Sequence, residues 1–126
     1  MDLASREMLT LAPSRRAPAE ARQAVRAFAI GSVSAETADT AELLASELVT
    51  NAVMHGQGRV TVLMAYDADG LSVTVYDDEP ALPVQPEPDP LSLGGRGLQL
   101  VEVLADAWGV APAASGFGKG VWFRLA

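Results

Sequence analysis

The sequence contains no cysteine, which removes disulfides, thiolate metal sites and cysteine nucleophiles from consideration. It contains one histidine, His55, so a metal centre needing two imidazoles is excluded as well. No apolar run approaches the roughly 18 residues that a membrane-spanning helix needs. The N-terminus also lacks the basic, apolar and small-residue succession of a signal peptide, so a cytoplasmic location is expected. Positive charge is scarce too: nine Lys and Arg stand against sixteen Asp and Glu, a formal net charge of −7. Such a surface repels the phosphate backbone, and direct nucleic-acid binding is not expected.

What remains is the balance of a globular chain with a genuine core. Of the 126 residues, 49% are hydrophobic and 20% are charged, which suits one domain over residues 1–126. The charge is uneven. Residues 1–30 hold Arg6, Arg15, Arg16, Arg22 and Arg26 against Asp2, Glu7 and Glu20, so the excess acidity lies downstream. Those arginines read either as a solvated helix face or as a basic edge for docking a partner.

Along the chain, residues 7–12 form a short apolar strand closed by Pro13-Ser14. Pro18 suits a first helical turn, because the N–H it lacks would be unpaired there anyway. A helix follows to about Ile30, with Ala21, Val25, Phe28 and Ala29 on one stripe, and Gly31 ends it. Ser34 is the expected N-cap of a longer helix from about Ala35 to His55, stopped by Gly56 and Gly58. Residues 59–66 and 71–76 alternate and are rich in β-branched side chains, and Asp67-Ala68-Asp69-Gly70 between them signals a hairpin. Five prolines at positions 80, 83, 86, 88 and 90 forbid helix and central strand alike, and so predict a long loop. Gly94-Gly95-Arg96-Gly97 then opens a helix from Leu98 to about Ala107, and a hairpin joins residues 108–112 to 121–125. The order β-α-α-β-β-loop-α-β-β predicts an α+β fold: a largely antiparallel sheet with helices on one face, in two layers.

Three places call for chemistry. In the second helix Glu47, Thr50 and Asn51 interrupt an apolar stretch. At about 100° per residue, Asn51 falls roughly 40° around the axis from Glu47 and one turn further on. Asparagine is a poor residue inside a helix, because its side chain competes for backbone hydrogen bonds. The pair reads as a solvent-facing polar stripe opposite the apolar face, or as an oxygen-donor set. In the second case Glu47 would be a general base and Asn51 a ligand to a hard cation such as Mg²⁺. Asp77-Asp78-Glu79 ends a strand, where it forms a solvated turn or lines a pocket mouth. The glycine cluster at 94–97 lets backbone approach an anion at a helix N-terminus, or merely ends a loop. It is neither a dinucleotide fingerprint nor a Walker loop.

Taken together, the segment Glu47-Leu48-Val49-Thr50-Asn51-Ala52-Val53-Met54-His55-Gly56, an Asp at a strand end about 25 residues later, a loop, and Gly-Arg-Gly-Leu-Gln-Leu-Val opening a helix resemble the GHKL nucleotide-binding family. Within it the chain is most similar to the small bacterial RsbW-like anti-sigma-factor serine/threonine kinases, from about Leu9 to Leu125. The resemblance implies the two-layer Bergerat ATP-binding sandwich, with ATP and Mg²⁺ as cofactors. It further implies Asn51 as the Mg²⁺ ligand, Glu47 as the catalytic base, and Asp77 as acceptor of the adenine amino group. Residues 79–94 correspond to a lid, and Gly95 and Gly97 to glycines that approach phosphate; Arg96, between them, is a candidate to neutralise phosphate charge. His55 is assigned no chemistry.

The chain also departs from the family pattern. Glu79 and Ala81 stand where glycines follow the adenine Asp, and Gly118-Lys119-Gly120-Val121 lacks the threonine that supports it. Both differences are expected to weaken base recognition and to leave the metal and phosphate side intact. The function implied is an ATP-dependent anti-sigma regulatory factor with kinase activity on an anti-sigma-factor antagonist. Its partners would be a sigma factor and that antagonist, with a possible homodimer. The alternative is a catalytically weak or inactive nucleotide-binding module that sequesters a regulatory partner.

Overall fold

The computed structural model describes residues 5–78, 96–112 and 118–126. Among them the chain runs β1 (Ser5–Leu11), α1 (Ala17–Ala29), α2 (Ala35–His55), β2 (Val60–Asp67), β3 (Gly70–Tyr76), α3 (Arg96–Leu104), β4 (Ala107–Ala111) and β5 (Gly120–Leu125). Among the described residues the helices and strands follow the expected order, and the expected loop lies outside them. The strands form a single sheet in the order β1-β2-β3-β5-β4, antiparallel at every pairing. The fold is therefore α+β, with helices packed on a five-stranded antiparallel sheet.

Local chemistry explains most element boundaries. Pro18 lies in the first turn of α1, where it removes no intrahelical bond. The Ser34 side chain accepts from Thr37 N–H at 3.1 Å and caps α2. Asp67 Oδ1 accepts from Asp69 N–H at 2.8 Å, which tightens the β2–β3 turn. The helix expected to reach Ala107 ends instead at Leu104. Asp106 N–H donates to Arg124 O at 2.9 Å and Ala107 pairs with Arg124, so the ladder to β5 captures this backbone before another helical turn can form.

The core lies between sheet and helices. Val60, Val62, Met64, Leu71, Val73, Val75, Phe123 and Leu125 supply its floor. Its roof is rich in small residues: Ala17, Ala21, Val25 and Ala29 from α1, and Ala38, Ala41, Leu44, Ala45, Leu48 and Val49 from α2. Alanines at this spacing let α1 lie close along α2. Phe123 is the largest fully buried side chain, and burying one of its size stabilises by about 1.5–3 kcal/mol. Two of the N-terminal arginines are tied to α2: Arg26 donates to Glu42 at 2.7 Å and Arg22 to Ser46 at 3.1 Å. Both contacts are exposed and contribute tenths of a kcal/mol rather than whole units. They fix which flank of α2 faces α1.

Candidate functional site

Because Glu42 and Ser46 face α1, the rest of α2 can be oriented from its pitch. Glu47 lies about 100° around the axis from Ser46 and about 140° from Glu42, on the flank away from α1. Glu47 and Asn51 are half-buried there, between exposed Leu43 and Met54 on one side and the core residues Leu44 and Leu48 on the other, while half-buried Thr50 lies beyond Leu43 toward Ser46. Asn51 projects within roughly 20° of Leu44, two turns earlier, which is fully buried. The polar pair therefore borders the apolar face. The expectation that it stands opposite that face is corrected: α2 is covered by the sheet below and by neighbours on both flanks, so its buried arc is wider than a surface helix would have. Thr50 Oγ1 donates to Ser46 O at 2.8 Å and is turned back on its own helix. Among the described residues neither Glu47 nor Asn51 makes a side-chain hydrogen bond.

At the C-terminal end of α2 the chain doubles back onto the end of β3. Gly56 caps the helix, its N–H donating to Ala52 O at 2.9 Å. It lies so close to Asp77 that an added Cβ would overlap Asp77 Oδ2. Gly58 adopts φ +68° and in the same way leaves room for Asp78. Asp78 N–H donates to Gln57 O at 2.8 Å, and Asp78 Oδ2 accepts from Arg59 N–H at 2.8 Å. The acidic run is thus divided in role. Asp78 is exposed and straps the turn after α2, whereas Asp77 is buried.

Asp77 is held from the opposite side by the approach to β5. Its N–H donates to Lys119 O at 3.1 Å and its carbonyl accepts from Gly118 N–H at 2.9 Å. Lys119 Nζ donates to Asp77 Oδ2 at 2.7 Å, with the Asp77 side chain 3% exposed and that of Lys119 22% exposed. Burying a carboxylate costs several kcal/mol, which an opposite charge at contact distance offsets. Where the family has its supporting threonine, this chain thus has Lys119 as a side-chain partner of Asp77.

Residues 11–125 match the family model of the histidine kinase-like ATPase domain. The chain belongs to that family. No curated protein matches it. A histidine kinase-like ATPase domain implies ATP as its nucleotide, usually with Mg²⁺.

The predicted site residues of this ATPase domain fall into three groups. Glu47 and Asn51 share one flank of α2, and Asp77 lies against Gly56 beyond the end of that helix. Arg96 and Gly97 begin α3. Gly95, Glu79, Ala81 and the lid at 79–94 lie outside the described residues. His55 is exposed in the last turn of α2. Sequence reasoning missed Lys119 and Gly56 as partners of Asp77, together with the Arg59–Asp78 link. The readable signal was a lysine between glycines at the start of a strand, which meets the acid only if β3 and β5 pair.

For Mg²⁺ the donor chemistry fits. A carboxamide and a carboxylate oxygen one turn apart suit a hard cation that keeps several waters and takes phosphate oxygens. No group of three or more His, Asp or Glu side chains placed to hold a metal occurs among the described residues. Nor, among them, is any helix long and apolar enough to cross a membrane. A depression of about 350 Å³ lined by Ser34, Asp67, Asp69 and Ala126 lies at the hairpin end of the sheet, far along β3 from Asp77, and contains none of these residues.

Proposed function

We propose that this domain is an ATP-dependent anti-sigma regulatory factor with protein serine/threonine kinase activity on an anti-sigma-factor antagonist. The observation that carries the reading is the packing of Asp77 on Gly56, the residue that caps the helix bearing Glu47 and Asn51. It sets an acceptor suited to a base amino group at one end of the polar flank suited to a metal and its phosphates.

The roles follow from donor chemistry. Asp77 accepts from the adenine amino group. Asn51, through its carboxamide oxygen, would hold Mg²⁺, and Glu47 would take the proton from the antagonist's serine hydroxyl as its oxygen bonds to the γ-phosphorus and ADP leaves. Bound ATP with Mg²⁺ supplies the transferable phosphoryl group and the cation that offsets charge on its oxygens. Phosphoryl transfer asks little covalent chemistry of the protein, so positioning and neutralisation carry the rate. Arg96 and Gly97 at the start of α3, with Gly95 before them, are assigned to the phosphates. A sigma factor would be the partner held in one state, the antagonist in the other, and the domain would act as a homodimer.

The acidic surface supports a protein partner over nucleic acid. A second reading, a catalytically weak or inactive nucleotide-binding module that sequesters its partner, draws on one observation: Asp77 already has a strong partner within the protein. Calorimetric titration with ATP, ADP and GTP, with and without Mg²⁺, tests the nucleotide. Transfer of labelled phosphate to a candidate antagonist separates the two readings. ATP binding without transfer would favour the second, and no binding would remove both.

A further inference from the structure

We propose that Lys119 determines base specificity at the Asp77 end of the candidate site: its ammonium supplies the hydrogen-bond donor beside the Asp77 acceptor, and the two read the amino and ring-nitrogen edge of adenine together. The inference rests on the nucleotide reading above and adds to it a residue that the family pattern does not supply.

The geometry behind it is specific. Lys119 Nζ lies 2.7 Å from Asp77 Oδ2, so a donor and an acceptor are held side by side at the end of β3. An ammonium has three N–H donors and no acceptor, while a carboxylate only accepts. The 6-amino group and N1 of adenine present the complementary pair, a donor next to an acceptor, and a pocket that takes up a base reads that edge by hydrogen bonds. Guanine presents the same two kinds of group with their positions exchanged, so a pair fixed in orientation tells one purine from the other.

The fixing is also visible. Asp77 is held by two backbone bonds to residues 118 and 119 and by the wall of Gly56. The Lys119 backbone is part of the same link, so the lysine side chain starts from a fixed point beside the acid and is held to it by the Nζ–Oδ2 contact. The two side chains also differ in access: Asp77 is almost wholly enclosed, while 22% of Lys119 is exposed. The lysine is therefore the member of the pair that solvent, or a ligand, reaches more readily.

A role confined to supporting Asp77 would not distinguish nucleotides by their N1 atom, and this separates the two explanations. Calorimetric titrations compare ATP with 1-deaza-ATP, which carries C–H in place of N1, at one Mg²⁺ concentration. The proteins are the unmodified chain, Lys119→Met and Lys119→Arg. A hydrogen bond to a charged group is worth about 1.5–3 kcal/mol, which corresponds to a loss of roughly 10- to 100-fold for the deaza nucleotide. The unmodified chain and Lys119→Arg should show that preference for ATP. In Lys119→Met it should fall to near unity, with ATP weakened to the level of the analogue.

Equal binding of ATP and 1-deaza-ATP by the unmodified chain would overturn the proposal while leaving the nucleotide site in place. So would an undiminished preference in Lys119→Met. If Lys119→Met does not fold, Lys119→Gln takes its place: its shorter, neutral amide is a weaker donor, so its preference for ATP should fall below that of the unmodified chain, and an undiminished preference would overturn the proposal. Failure of the unmodified chain to bind ATP at all would remove the underlying reading, and this inference with it.

Discussion

Glu47 and Asn51 sit on a half-exposed helix flank and, among the described residues, bond to no other side chain. Asp77 is enclosed, and is pinned by Gly56 on one side and by Gly118 and Lys119 on the other. The two regions belong to one candidate site and stand one helix end apart, yet their constraints are opposite. The flank is free to take its geometry from whatever binds there. The base end is set by the fold before anything binds. The difference teaches that substitutions on α2 should change chemistry at little cost to stability, whereas substitutions around Asp77 should change both.

Glu47→Gln should lower phosphotransfer by roughly 10²- to 10⁴-fold, the usual contribution of a positioned base, with nucleotide affinity retained. Single-turnover label transfer measures it, and full residual activity would remove Glu47 from that role. Lys119→Met leaves the enclosed Asp77 carboxylate without its cation. Because a partly exposed lysine is replaced, we expect about 3 kcal/mol of lost stability, at the low end for a broken buried pair. Urea denaturation reads this directly, and a change below 1 kcal/mol would show that the base end is less tightly set than its contacts indicate.

Gly56→Ala sharpens the contrast further. Its Cβ would overlap Asp77 Oδ2 and approach Ala52 O to 2.6 Å, so the helix end or the acid must shift. Overpacking of this kind costs about 1–3 kcal/mol, and the same denaturation experiment should find it. Smallest of all is the effect on stability of Asn51→Ala. Alanine is the better helix former by at most about 0.7 kcal/mol, so the melting temperature should stay level or rise slightly. A clear drop would mean that Asn51 is a packing residue rather than an open ligand.

The same contrast marks what was legible in the sequence. Both ends of α2 were readable because Ser34 caps its own helix and Gly56 ends it, both local effects. The β2–β3 hairpin was readable because the Asp67–Gly70 turn carries its own chemistry. Glu47 and Asn51 were legible as a pair because helical pitch alone puts them together; how deeply they sit was not, since that depends on what packs around α2. Lys119 escaped notice because it lies 42 residues from Asp77 and meets it only through the β3–β5 pairing. Local pattern registered a missing threonine there and could not see the lysine's reach. The early end of α3 has the same origin, since a ladder bond to Arg124 outweighs local helix preference.

The central claim is that the flank of α2 and the Asp77 end form one ATP site with its cation at Asn51. Calorimetric titration of ATP into the unmodified chain and into Asn51→Ala, each with and without Mg²⁺, tests this most directly. Binding to the unmodified chain should be tight and depend on Mg²⁺, and should be lost in a folded Asn51→Ala protein. Identical, Mg²⁺-independent affinities in the two proteins would contradict the claim.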